Sequence, residues 1–265
     1  MITIDNGVKG LKAIILAAGE GTRLRPYTEE RPKCMVEVDG ESLLERQLDV
    51  LRNSSINEVI VIGGYMHNSL PCNQITKVVN KRYKTTNMVE TLFSARNHLN
   101  GDLLVSYGDI VYSSEVLDLL MRSQGDINVV IDLSWELYWR KRSDDPISDA
   151  ESLKIDENGF ICEIGQIPNS IGEIQGQYIG LVKYSSAGID ALIKAFDLAT
   201  SRGALLRGKP ACRMYMTDLL QEIIDSGFKV NPVNINGGWV EVDTVSDLML
   251  DETVVRLKSI KSNLR

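Results

Sequence analysis

The apolar positions fall into short runs that alternate with segments of helical period. Leu11 to Leu16 (LKAIIL) and Glu58 to Ile62 (EVIVI) are rich in β-branched residues, as in strands buried on both faces. Between them, Ser42 to Arg52 sets Leu44, Leu48 and Leu51 on one helical face. The alternation continues with strand Ile75 to Asn80, helix Met88 to Leu99, strand Leu103 to Ser106, helix Glu115 to Met121 and strand Ile127 to Asp132. This order predicts an α/β fold with a doubly wound, mostly parallel central sheet flanked by helices.

After Asp132 the pattern becomes mixed. Ser134 to Arg142 (SWELYWRKR) reads as a short aromatic helix, and Ser152 to Ile155 and Phe160 to Ile164 flank Asp156-Glu157-Asn158-Gly159, an Asn-Gly hairpin signal. Gln177 to Tyr184 and Lys229 to Ile235 are further strands, separated by amphipathic helices at Ala187 to Leu198 and Tyr215 to Ser226, and a terminal helix runs from about Val245 to Ser262. No repeat, low-complexity tract or flexible linker interrupts the chain. Residues 1–265 therefore read as one domain, with a parallel α/β half over about 1–132 and a mixed β/α half over 133–265.

Composition narrows the class. The 265 residues are 43% hydrophobic and 25% charged, which excludes disordered, collagen-like and coiled-coil chains. A net charge of −7 disfavours nucleic acid as a partner, because neutralising phosphates needs a basic surface. No apolar stretch approaches membrane-spanning length and no signal peptide opens the chain, so a cytoplasmic protein without membrane insertion is expected. Cys34, Cys72, Cys162 and Cys212 lie far apart and form no zinc-ligand spacing, so they read as reduced thiols.

The chemistry concentrates after the first strand, in Leu16-Ala17-Ala18-Gly19-Glu20-Gly21-Thr22-Arg23-Leu24-Arg25-Pro26-Tyr27-Thr28 and on through Arg31-Pro32-Lys33. Gly19 and Gly21 allow close backbone approach, and N–H groups exposed there can cradle phosphate oxygens. A Walker loop would need Gly-Lys-Ser/Thr, and a dinucleotide fingerprint would need glycine where Leu24 stands. Neither is present. The segment instead resembles the G-x-G-T-R-x-x-P-x-T…P-K signature of the nucleotidyltransferases that make NDP-sugars and CDP-alcohols. Gly19, Gly21, Thr22, Arg23, Pro26, Thr28, Pro32 and Lys33 all match.

That resemblance extends along essentially the whole chain and implies a Rossmann-like fold, a nucleotide-binding half over about 1–132, an acceptor and second metal-ligand half over 133–265, and a Mg²⁺-dependent reaction with pyrophosphate as leaving group. It assigns Arg23 to the triphosphate and Lys33 to the α-phosphate and the attacking group, roles that a planar fork and a compact point charge suit. Alone, Lys33 would read as a solvated surface lysine. Asp109, at the carboxyl end of a strand in Ser106-Tyr107-Gly108-Asp109, and Asp243, in Trp239-Val240-Glu241-Val242-Asp243-Thr244, stand where the family holds its metal. Either aspartate alone is more often a cap or turn residue.

The resemblance is closest to the phosphocholine-like and phosphoglutamine-like cytidylyltransferases. It is carried by Lys33-Cys34-Met35-Val36-Glu37, Ile62-Gly63-Gly64-Tyr65, Thr86-Asn87-Met88-Val89-Glu90-Thr91-Leu92 and Gln177-Tyr178-Ile179-Gly180-Leu181. It places Ala17, Ala18, Gly19, Glu20, Gly21, Thr22, Gly64, Tyr65 and Asn87 around the nucleotide, with CTP and a small phosphorylated acceptor as partners. Trp135, Tyr138, Trp139, Glu173, Tyr178 and Trp239 offer aromatic faces and a carboxylate to an acceptor ammonium group. The same aromatics would serve equally as core anchors, and Lys154 and Arg140 equally as acceptor ligands or as a solvated face. A homodimer fits family habit, although no exposed apolar stripe argues for one. Two other readings stay open. A sugar-1-phosphate nucleotidyltransferase using UTP, dTTP or GTP lacks its customary lysine, since Ile164 stands there, and a non-catalytic nucleotide-binding regulator would have no reason to keep Arg23, Lys33, Asp109 and Asp243.

Overall fold

Seven strands form the central sheet of the computed structural model, which describes residues 10–201 and 208–262. They are β1 (Lys12–Ala17), β2 (Glu58–Gly63), β3 (Thr76–Val79), β4 (Leu103–Tyr107), β5 (Ile127–Asp132), β6 (Gln177–Tyr184) and β7 (Asn231–Ile235), in spatial order β7-β5-β6-β4-β1-β2-β3. β1 pairs in parallel with β2 and β4, β2 with β3, and β5 with β7, whereas β6 runs antiparallel between β4 and β5. The sheet is thus mostly parallel with one reversed strand.

Burial on both faces explains the unbroken apolar runs. Ala13, Ile15 and Ala17 of β1 join one core while Ile14 and Leu16 join the other. On the first side pack α1 (Leu43–Asn53), α3 (Ser114–Arg122), α4 (Trp135–Arg142), α7 (Val245–Met249) and α8 (Asp251–Ser262). On the second pack α2 (Met88–Phe93), α5 (Ser186–Ser201) and α6 (Met216–Asp225). A capping box fixes the start of α1, where Ser42 Oγ accepts from the Glu45 N–H and the Glu45 carboxylate accepts from the Ser42 N–H.

Two predicted helices are shorter than their patterns. α2 stops at Phe93, where Ser94 Oγ donates back to Glu90 O, and only a single 3₁₀ turn at Arg96–His98 follows. The terminal helix divides at Leu250, which is extended (φ −73°, ψ 126°), because the buried Thr253 hydroxyl donates to Asp247 O and closes α7. The expected hairpin forms between Leu153–Ile155 and Ile161–Ile164, with the Asp156 carboxylate accepting from the Asn158 and Phe160 amides across the turn.

A short ribbon joins two distant parts of the chain. Ile110–Tyr112 pairs antiparallel with Trp239–Glu241, and Val242 N–H donates to Asp109 O at 3.0 Å. Residues from the middle and from near the end of the sequence thereby meet at the carboxyl edge of the sheet, where open α/β sheets bind ligands.

Candidate active site

A cleft of about 310 Å³ opens at that edge between the loop after β1, the start of α2 and the ribbon. The loop turns sharply at Gly21, whose φ of +62° favours glycine, and a Cβ there would stand 3.0 Å from the Lys33 Cβ. The buried Thr28 hydroxyl donates to Gly21 O at 2.8 Å and closes the loop. Gly108 meets the opposite constraint of close approach, since a Cβ there would lie 2.8 Å from Leu16 O. Glycine thus lets β4 lead Asp109 directly alongside the end of β1.

Lys33 Nζ lies 2.5 Å from Asp109 Oδ2 and 2.5 Å from Asp243 Oδ1, and Arg23 pairs with Asp243 Oδ2. Arg23 is 61% exposed whereas the Lys33 side chain is 14% exposed, so the first can reach outward to a ligand and the second sits within the cleft wall. Burial pulls the Lys33 ammonium down, but the Asp109 and Asp243 carboxylates outweigh it and hold the group above its ordinary value. Glu241, two residues before Asp243, is pushed up to about 7, first by burial, against the pull of Arg142.

Mg²⁺ favours hard oxygen ligands and usually takes only one or two carboxylates, with water and phosphate filling the rest. Asp109 Oδ1 is buried and has no hydrogen-bond partner, and Asp243 lies beside it across Lys33. An orphaned carboxylate oxygen of this kind fits a divalent cation. Among the described residues there is no set of three or more His, Cys, Asp or Glu that would cage a metal by protein ligands alone.

Ala17, Ala18, Gly19, Arg23, Lys33, Asn87, Asp109 and Asp243 all line the cleft. Glu20, Gly21 and Thr22 belong to the loop but not to that lining. Gly64 and Tyr65 stand behind it: Tyr65 N–H donates to Ala18 O and its hydroxyl to Glu29 O, so this pair braces the loop. Tyr83, Thr86, Met88, Thr91, Tyr107 and Glu241 line the cleft and were missed in the sequence. Thr86 and Met88 flank Asn87, and Tyr107 lies two residues before Asp109, so proximity to named residues was the available signal.

The expected acceptor residues need correction. Trp135 and Trp239 are 3% and 1% exposed, packed with Tyr138 and Trp139 in an aromatic core, and Trp239 Nε1 donates to Asp132 Oδ2. Burying large aromatic surface outweighs leaving it at the cleft. Glu173 accepts from the Asn169 N–H within its own loop, away from the cleft lining. Lys154 and Arg140 are engaged with Glu163 and Glu136. Tyr178 lies one layer behind the cleft wall, with its ring 5.6 Å from and at 74° to that of Tyr107.

The MobA-like NTP transferase domain model matches residues 13–139. A CTP:phosphoglutamine cytidylyltransferase of Campylobacter jejuni subsp. jejuni serotype O:2 is 38% identical over 250 residues, covering 90% of this chain and 98% of that protein. Among solved structures, an inositol-1-phosphate CTP transferase from T. maritima superposes with a TM-score of 0.71 at 21% identity, covering 96% of this chain and 97% of that one. A CTP:phosphocholine cytidylyltransferase from Streptococcus pneumoniae superposes with a TM-score of 0.68 at 22% identity, covering 89% and 95%. These two likenesses concern the fold.

Proposed function

Because this chain belongs to the nucleotidyltransferase family, we propose that it is a cytoplasmic, Mg²⁺-dependent cytidylyltransferase that transfers CMP from CTP to a small phosphorylated amine, amide or phosphonate. An acceptor oxygen attacks the α-phosphorus, a new P–O bond forms, and the bond to the β-phosphate oxygen breaks with its electron pair leaving on pyrophosphate. The convergence of Arg23, Lys33, Asp109 and Asp243 on one cleft carries this reading. The identity to a CTP:phosphoglutamine cytidylyltransferase supports CTP and this acceptor class.

Several anionic groups must come together for the attack, so positioning and neutralisation of charge are the chain's main work. Lys33 holds the α-phosphate and the incoming oxygen, and Arg23, free to swing from Asp243, holds the outer phosphates. Asp109 and Asp243 would hold Mg²⁺. When bound, the cation neutralises phosphate charge and orients the leaving group. On the acceptor side we assign Tyr107, which lines the cleft and whose ring is backed by that of Tyr178.

The test is the melting temperature with Mg²⁺ and each of CTP, UTP, dTTP, GTP and ATP, followed by pyrophosphate release with phosphocholine, aminoethylphosphonate and phosphoglutamine. A nucleotide at about a hundred times its Kd stabilises by about 2.7 kcal/mol, a shift of several degrees. A shift selective for CTP, with release on adding one acceptor, is expected. A larger shift with UTP, dTTP or GTP returns the sugar 1-phosphates to first place, and no shift with any nucleotide leaves a non-catalytic role.

A further inference from the structure

The aromatic segment of α4 contributes nothing to the cleft lining, yet its last residue reaches the ribbon that carries Asp243. The Arg142 side chain is 6% exposed, and its guanidinium donates to Glu241 Oε2 at 2.6 Å and to the two Asp247 oxygens at 2.8 and 3.2 Å. It also lies over the rings of Tyr138 and Trp139, 5.4 and 5.1 Å from their centroids. Asp247 passes the constraint onward, since its Oδ2 accepts from the backbone N–H groups of Asp243 and Thr244 at 3.0 and 2.9 Å. Tyr138 adds a second hold, its hydroxyl donating to Glu241 O and accepting from the Glu241 N–H, each at 3.2 Å.

Resting on the cytidylyltransferase reading, we propose that Arg142 is a positioning residue that fixes the Asp243 side of the cation site through Asp247 and Glu241. The guanidinium fork can serve two carboxylates in fixed directions, which a lysine ammonium cannot reproduce. It is also the cation that both Glu241 and Asp247 contact in this network. Without it, the buried Asp247 carboxylate and the half-buried Glu241 carboxylate lose their counter-charge, and the Asp247 oxygen that accepts from the Asp243 N–H is no longer held in place. Groups one layer behind metal ligands change metal affinity by about 10–100-fold when removed, and that is the effect expected here.

The experiment titrates Mn²⁺ as a spin probe, followed by electron paramagnetic resonance, into the protein with CTP and no acceptor. Arg142→Gln is expected to raise the Mn²⁺ dissociation constant about 10–100-fold. The control Arg96→Gln, at an exposed pair with Asp197, leaves the constant unchanged. In turnover, the Mg²⁺ concentration for half-activation rises while the acceptor KM stays within about twofold, a split that general loosening of the fold would not give. If Arg142→Gln does not fold, Arg142→Lys, which keeps the charge and loses the fork, carries the test in the same direction. A folded variant with wild-type Mn²⁺ affinity overturns the proposal. Failure of the wild-type protein itself to bind Mn²⁺ and CTP would instead overturn the cytidylyltransferase reading.

Discussion

Replacing Lys33 with methionine keeps most of the apolar stem and removes one charge from the centre. The ammonium sits 2.5 Å from a carboxylate oxygen on each side and is largely enclosed, so phosphate oxygens entering the cleft would meet it at similar range. At a charge separation of about 4 Å and an effective dielectric near 20, one such interaction is worth about 4 kcal/mol, or about a thousandfold in rate. Arg23 can compensate in part because its exposed side chain can reach the phosphates. A fall in kcat of about 10²–10³ is therefore expected, the range found when one preorganised donor is removed. Two facing carboxylates also lose their bridging cation, so the melting temperature of Lys33→Met without ligands should drop, and added Mg²⁺ should restore more of it than in the wild type. Pyrophosphate release and thermal melts read both effects. A folded variant with kcat within about tenfold of wild type would refute the role given to Lys33.

Asp109→Asn and Asp243→Asn should each abolish nearly all turnover in the pyrophosphate assay while circular dichroism reports an intact fold. Gly21→Ala forces a side chain into the left-handed region against Lys33, costing about 1–2 kcal/mol by calorimetry, and it should lower kcat by displacing that lysine. Trp135→Ala should cost about 3–5 kcal/mol in denaturant unfolding yet leave the acceptor KM unchanged, because the ring is a core anchor. Asp247 is pushed up by burial, but its bonds to Arg142 prevail and hold it below its ordinary value. Its stabilising contribution is therefore present above the unfolded value near 3.9 and is lost as pH falls through the depressed folded value. The stability gap between wild type and Asp247→Asn should be open at pH 7 and close in strong acid.

The parallel half of the sheet was legible because burial on both faces leaves unbroken apolar runs, as in β1. Gln177 to Tyr184 read as a strand, but its antiparallel place between β4 and β5 did not, since that depends on contacts far away in sequence. The break at Leu250 left no trace because no proline or glycine marks it, and the Thr253 hydroxyl makes it. Around the cleft, Arg23 and Lys33 could be picked out from a dense motif and Asp109 and Asp243 from the family resemblance of two separate segments, and the structure brings all four together. Aromatic residues at helical spacing look the same whether they face a ligand or a core. A sharper signal lay in the helical period: Trp135, Tyr138, Trp139 and Arg142 fall on one face, which marks the third residue of the Arg140-Lys141-Arg142 run as the buried one.

The charges gathered at the centre explain why one chain needs both a basic loop and acidic ribbons. Asp109, Asp243, Glu241, Asp247 and Asp149 place five carboxylates within mutual influence, against the three cations Lys33, Arg23 and Arg142. A triphosphate deepens that deficit, and Lys33 and Arg23 cannot serve carboxylates and phosphates at full strength together. In the structure both are engaged by Asp243, so ligand binding must draw them outward and leave the carboxylates in need of another cation. Arg142 cannot follow, held as it is between Asp247, Glu241 and two aromatic rings. The two cations that line the cleft thus answer to substrate and the one behind it to the ribbon, a division that lets Asp243 keep its place while its partners change.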